Sequence, residues 1–283
     1  MKPAILLQHL LPAKLLSRIV YAATRWRFRP WKNLLIRTIN RIYAVDVAEA
    51  ANPDAEAYPH FNAWFTRELK PGARPPHPSP ETVLMPADGR ISELGPIEGD
   101  RIVQCKAHHF TVAQLLADDA AAAAFQGGAF ITVYLSPRDY HRVHMPYGGR
   151  LLETAHVPGR LFSVAPFTVA DIPGLFARNE RLVCHFDTAL GPMAVVLVGA
   201  MLVSGVETVF SGVEIPPYAR AIRRRDYRGD VPPIELARNA ELGRFNMGST
   251  VVVLLPPGVK LDHHLAAGDA VKVGQRLAAR SVR

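Results

Sequence analysis

The sequence predicts an α+β protein in which N-terminal amphipathic helices lead into a β-rich domain. Three observations carry that expectation. Apolar residues recur at helical spacing through the first 45 residues, a proline-rich connector follows at residues 71–78, and short strand-like runs fill most of the remainder. The chain has 283 residues, 49% hydrophobic and 20% charged, which suits a folded chain with a sizeable core.

Trp31, Leu34, Leu35, Ile39 and Ile42 fall on one face of a helix, with Lys32, Arg37 and Arg41 off that stripe. An earlier helix is expected from about Pro12, with Leu15, Leu16, Ile19 and Val20 on its apolar side. The chain holds 33 Lys/Arg and 25 Asp/Glu; nine of the bases precede Tyr43, and the first acid is Asp46. The other 24 bases face 25 acids, so the whole excess of +8 sits in this segment and does not point to nucleic acid. Basic amphipathic helices edged by Trp and Tyr suit an anionic membrane surface. A helical hairpin packed on the protein's own core has the same periodicity, but an acid-free run favours the membrane. Residues 1–45 are therefore read as membrane-associating helices and residues 46–283 as the second domain. The longest apolar stretch, Met193–Val203, has 11 residues, short of the roughly 18–20 that span a bilayer. No Ala-x-Ala-like site follows the first apolar patch, so the segment is expected to stay on the mature protein.

Residues 52–69 read as a polar helix with Phe61, Trp64 and Phe65 on one side. Beyond the connector, strands are expected at Val83–Met85, Arg101–Gln104, Phe130–Leu135, Leu182–Phe186, Met193–Val203 and Thr250–Leu255. Thr111 to Gln114 form a capping box opening a helix over Leu115–Phe125. Gly268–Gln275 reads as two short strands around a turn. Cys105 and Cys184 make neither a disulfide framework nor a ligand cluster, and they fit a reducing compartment.

Three segments carry the chemistry-bearing residues. Pro86-Ala87-Asp88-Gly89 places one acid in a turn after a strand, and by itself is an ordinary Asp-Gly turn. Tyr140-His141-Arg142-Val143-His144-Met145-Pro146 sets two histidines at i, i+3. No third ligand stands at a recognisable spacing, so no metal is expected. Phe245-Asn246-Met247-Gly248-Ser249-Thr250 immediately precedes a strand; alone, Gly-Ser-Thr is a common turn.

Together and in this order the blocks are specific. They are Met-Pro-Ala-Asp-Gly from Met85, Tyr-Leu-Ser-Pro-Arg-Asp-Tyr-His-Arg-Val-His-Met-Pro from Tyr134, Leu-Phe-Ala-Arg-Asn-Glu-Arg from Leu175, and Gly-Arg-Phe-x-x-Gly-Ser-Thr from Gly243. The chain resembles the bacterial, pyruvoyl-dependent phosphatidylserine decarboxylase proenzymes, from its basic N-terminal helices to about Leu277. The resemblance implies a β-rich catalytic domain that cuts itself between Gly248 and Ser249. Large (1–248) and small (249–283) subunits would stay associated, and Ser249 would become a covalent pyruvoyl group that takes the substrate amine. Ser249 matches the self-cleaving serine, His144 its base, and Asp88 the acid that orients the base. His141 matches a second active-site histidine used in decarboxylation. Met247 stands where the family has Leu, a swap of similar volume from which little consequence is expected. The implied substrate is phosphatidylserine and the product phosphatidylethanolamine. The implied location is peripheral, on the cytoplasmic side of the cell membrane, and a homo-oligomer is compatible with it.

The residue types suit this chemistry on their own terms. A serine hydroxyl needs a base to remove its proton, and a histidine held by a carboxylate is such a base. Attack of Ser249 Oγ on the Gly248 carbonyl shifts the peptide to an ester, at a position where a missing Cβ helps the contorted backbone. Elimination, then hydrolysis with loss of ammonia, leaves a ketone that accepts electrons as CO2 departs. Thr250 is a candidate hydrogen-bond donor in the sequence. A histidine titrating near neutrality suits the proton return, a role given to His141. Arg138, Arg142 and the Asn179-Glu180-Arg181 stretch are candidates for holding the lipid phosphate or carboxylate, and surface ion pairs explain them equally well. Two rival readings remain: a lipid-directed serine hydrolase, disfavoured by the lack of a Gly-x-Ser-x-Gly elbow, and a non-enzymatic lipid-binding module.

Overall fold

The computed structural model describes residues 3–105, 108–202, 205–247 and 249–280; Gly248, one side of the expected cut, lies outside them. Three helices open the chain: α1 (Pro3–Leu10), α2 (Ala13–Arg25) and α3 (Arg29–Tyr43). Pro30 sits in the first turn of α3, where its missing N–H costs nothing. Ala44 closes the helix in the left-handed conformation, its N–H donating to the Asn40 carbonyl. The apolar stripes are where the periodicity put them, and they are split: Leu35 and Ile39 pack against the Phe61/Trp64/Phe65 core, while other members face outward. Leu15, Ile19, Leu34 and Ile42 are each more than half exposed, whereas Ser17, Thr24, Lys32 and Ile36 are buried. Lys32 Nζ donates to the carbonyls of Glu56 and Tyr58. These helices thus dock through polar groups together with a few apolar side chains, Ile5, Ile36, Leu35 and Ile39. Among the described residues, no helix is long and apolar enough to cross a membrane.

Two helix expectations are corrected. Within residues 52–69 only α4 (Phe61–Phe65) is helical. Asn52 and Asp54 accept from the backbone N–H two residues on, which offers the chain turns in place of a helix. The capping box at Thr111 forms, but its helix spans only Val112–Leu116 because Ala117 turns left-handed. Asp118 then caps a separate helix at Asp119–Ala122, and a 3-10 turn covers Ala123–Phe125. A second side-chain cap competes with continuation through the alanines.

The main sheet has nine strands, paired antiparallel throughout. Its order runs Arg223–Asp226, Gly149–Val157, Arg181–Thr188, Gly191–Val198, Thr250–Leu255, Ala129–Tyr134, Gly89–Pro96 and Ala270–Val271, with Glu235–Leu236 also on the second of these. Thr250–Leu255 is central and buried along its whole length, laddered to Gly191–Val198 on one side and Ala129–Tyr134 on the other. Its side chains alternate between two cores, Val251, Val253 and Leu255 in one, Val252 and Leu254 in the other.

A four-stranded sheet orders Gly212–Ile215, Val206–Thr208, Glu241–Phe245 and Arg142–His144. It sets the two-histidine segment beside the chain that leads to Ser249. A three-stranded sheet joins Thr82–Leu84, Arg276–Arg280 and Val259–Leu261. The hairpin expected at Gly268–Gln275 does not form. Ala270–Val271 joins the main sheet, and the next strand, Arg276–Arg280, belongs to the three-stranded one. A third, smaller core of Ile36, Val45, Phe61, Trp64 and Phe65 draws on both sides of position 45, and Met247 packs against it.

Candidate active site

Ser249 lies immediately before the central strand and is completely buried. Its carbonyl accepts from Leu135 N at 2.9 Å and its hydroxyl donates to the Val198 carbonyl. Upstream the chain is clamped. Phe245 N donates to the His141 carbonyl at 3.0 Å and Asn246 N to the Gly205 carbonyl at 2.8 Å. Gly205 lets the Ile215 backbone pass close by, since a Cβ there would stand 2.3 Å from the Ile215 carbonyl oxygen. The Asn246 side chain accepts from Asn62 and donates to Glu207, both at 2.8 Å. Between the clamps Met247 adopts φ 92°, a conformation that costs a non-glycine residue about 1–3 kcal/mol unless its surroundings hold it. Packing against the Phe61/Trp64/Phe65 cluster holds it here. The backbone at Met247 thus concentrates strain one residue before the expected cut.

His141 is fully buried and stacks on Phe65 with ring centroids 4.0 Å apart. Neither ring nitrogen completes a hydrogen bond. Burial, then the charge of Arg67, draws its pKa down to about 3, against a weaker upward pull from the Ser136 and Pro137 carbonyls. The near-neutral titration expected from sequence is therefore not met in this state: the imidazole stays uncharged at pH 7. A consequence for stability follows. Below about pH 6.5 the unfolded chain binds a proton that the folded chain refuses until about pH 3. Stability then falls with decreasing pH across that window, by about 1.4 kcal/mol per unit from this group. Urea unfolding at pH 7, 6 and 5 should show a shallower decline in His141→Gln than in the unsubstituted protein. Equal slopes would reject a buried neutral imidazole.

His144 donates from Nδ1 to the Asn239 carbonyl at 2.7 Å, which leaves Nε2 to accept from the Tyr140 hydroxyl at 3.0 Å. Asn239 is left-handed, φ 68°, a conformation Asn tolerates well. Burial lowers the His144 pKa, while Asn239 and the charges of Glu241 and Asp88 oppose the shift. Asp88 pairs with Arg74, whose Nε reaches both carboxylate oxygens at 2.9 and 3.0 Å, and also accepts from Val273 N. Arg74 is held in turn by Glu49 at 2.6 Å. The expected relay of Ser249, His144 and Asp88 is accordingly not closed here. Among the described residues, no hydrogen bond joins His144 to either of the other two. A two-pronged guanidinium–carboxylate pair outcompetes an imidazole for the acid. Asp88 still lies close by, since His144 N donates to the Pro86 carbonyl at 2.7 Å. The Asn239 carbonyl does the orienting, and it fixes the same tautomer that a carboxylate would.

The Leu135–Pro137 segment links the two halves of the site, bonding Ser249 through Leu135 N and facing His141 through its carbonyls. Thr250 Oγ1 is buried without a partner, as are both nitrogens of His141. Thr250 adjoins residue 249, so its unpartnered hydroxyl fits a small carbonyl-bearing group at that position, which is the chemistry of a pyruvoyl cap. Of the arginines proposed for the lipid anion, Arg181 is bound to the carbonyls of Gln114, Leu115, Ala177 and Asn179. Arg142 is bound to the Thr66 carbonyl, Glu68 and Glu241. Arg138 is exposed beside Asp139. Sequence reasoning missed Arg74, Asn239 and Arg67, of which only Asn239, in a turn, carried any local signal.

Comparison with known proteins identifies the family. A family profile described as phosphatidylserine decarboxylase matches residues 61–279, and one described as PSD matches residues 3–44. A protein of Xanthomonas axonopodis pv. citri named phosphatidylserine decarboxylase proenzyme is 61% identical over 97% of this chain and 98% of its own. Proenzymes so named from Xanthomonas campestris pv. campestris and Xylella fastidiosa are 60% and 59% identical, over 98% and 97% of this chain and 98% and 93% of theirs. Near-complete coverage at such identity, on top of the motifs and the buried serine, means that the chain belongs to the phosphatidylserine decarboxylase family.

Proposed function

We propose that this chain is the precursor of a phosphatidylserine decarboxylase, cuts itself between Gly248 and Ser249, and converts Ser249 into a covalent pyruvoyl group. The observation that carries the reading is a fully buried serine at the head of the central strand, two residues after a left-handed methionine held between clamps. For the cut, the Ser249 hydroxyl leaves the Val198 carbonyl and turns to the preceding peptide, a motion that release of the Met247 strain favours. His144 offers Nε2, through the Tyr140 hydroxyl, as the acceptor for the serine proton. The nearby Asp88 charge stabilises the imidazolium that results. Once formed, the pyruvoyl group supplies a ketone for the substrate amine and an electron sink for loss of CO2. His141, fixed against Phe65, would have to take up a proton in the substrate complex and then return it to the carbon that loses its carboxylate, which restores the neutral ring.

Mass spectrometry of the purified full-length protein tests this reading. The expected products are fragments 1–248 and 249–283, the second lacking a free amino terminus. Under native conditions they should run as one particle, because the strand that begins the small fragment is laddered on both edges. An active preparation with one continuous chain and an intact serine rejects the proposal.

The same reading places the enzyme peripherally on the cytoplasmic face of the membrane. Its support is the outward apolar side of α1–α3, with Leu10, Trp26, Phe28 and Ile42 all more than half exposed among nine bases. Deleting residues 1–45 should abolish co-sedimentation with anionic vesicles, and unchanged co-sedimentation would remove these helices as the anchor.

A further inference from the structure

Arg67 is 4% exposed, and its Nε and Nη1 have no hydrogen-bond partner. Among the described residues no carboxylate forms an ion pair with it; Asp46, Asp88 and Glu49 act on it only from a distance. The Trp64 ring centroid lies 5.6 Å from its guanidinium carbon. A buried cation left in this condition is costly, and a bound anion would relieve it. Arg67 lines a cavity of about 460 Å³ together with Arg25, Arg142 and Arg244. Each of those three has a glutamate partner: Glu207 for Arg25, Glu68 and Glu241 for Arg142, Glu207 and Glu241 for Arg244. Among the described residues lining this cavity, Arg67 is the arginine without an ion-pair partner. Asn62, on the same wall, is bonded to Asn246, three residues before Ser249, so the cavity adjoins the reacting segment.

Resting on the decarboxylase reading, the substrate brings two anionic groups, a carboxylate and a phosphodiester. A guanidinium on the carboxylate would stabilise charge that must disperse as CO2 leaves, and so would oppose the reaction. On the phosphodiester, which the reaction leaves untouched, it holds substrate without that cost. We propose that the Arg67 cavity is the headgroup pocket and that Arg67 binds the lipid phosphodiester. An anion seated there also offsets the charge that helps keep His141 unprotonated.

The test uses self-cleaved enzyme with Arg67→Met and Arg67→Lys, fragment formation reporting that each variant folds. Arg67→Met should raise KM for a short-chain phosphatidylserine about tenfold or more, the size of one charge-assisted bond, with little change in kcat. Calorimetric affinity for glycerophosphoethanolamine, which has the phosphodiester and no carboxylate, should fall by the same factor, and Arg67→Lys should recover part of it. Unchanged affinity for glycerophosphoethanolamine overturns the proposal. If both variants stay uncut, competition on the unsubstituted enzyme decides: glycerophosphoethanolamine should inhibit and serine should not, and the reverse result overturns it. Unsubstituted protein that neither cuts itself nor decarboxylates would instead bring down the underlying reading.

Discussion

Ser249→Ala is expected to give a single 283-residue chain with no decarboxylase activity. The substitution removes the only atom that can open the peptide bond, and with it the source of the ketone. It should leave the fold intact. The lost side-chain hydrogen bond, to the Val198 carbonyl, is worth about 0.5–1.5 kcal/mol net, and the backbone bond to Leu135 remains. Denaturing electrophoresis and CO2 release measured on the same preparation check the prediction. Activity in the uncut variant would reject Ser249 as the source of the reactive group. Loss of activity separates the serine-dependent readings from simple lipid binding, and the fragments of the unsubstituted protein separate self-processing from hydrolysis.

The two histidines should separate in their effects. His144→Ala removes the acceptor for the serine proton, so fragment formation should slow by about 10²–10⁴-fold, the range for loss of a positioned base. His141→Ala leaves His144, Tyr140 and Asn239 bonded as they are, so fragments should form. Turnover of phosphatidylserine by those fragments should nevertheless drop by a factor in the same range. Time courses of cutting, followed by activity of the cut material, measure both steps. If His141→Ala stays uncut and His144→Ala cuts at the normal rate, the assigned roles are reversed.

The strands were legible because β-branched and apolar residues run without interruption where both faces are buried, as in Val251–Leu255. The helical stripe at Leu15, Ile19, Leu34 and Ile42 was equally legible, but periodicity specifies a face and says nothing about what it meets. That these residues point outward required the fold. Asp88, His141, His144 and Ser249 could be named because three of the four ordered motifs carry them. Their partners could not. Arg74 comes from the proline-rich connector, Asn239 from a turn and Arg67 from just beyond a five-residue helix. Each becomes relevant through contacts spanning many residues, which no local pattern encodes. The polar helix read over residues 52–69 failed for the opposite reason, as nearby side chains captured the backbone first.

Asp88 receives a backbone hydrogen bond from Val273, and the Gly89–Pro96 strand beside it is edged by Ala270–Val271. Residues that follow Ser249 in the sequence thus complete the setting of an acid that precedes it by many residues. Under the proposed cut at Ser249 the larger product would carry the carboxylate and the smaller one the amide that fixes it, so neither product alone would hold the acid in place.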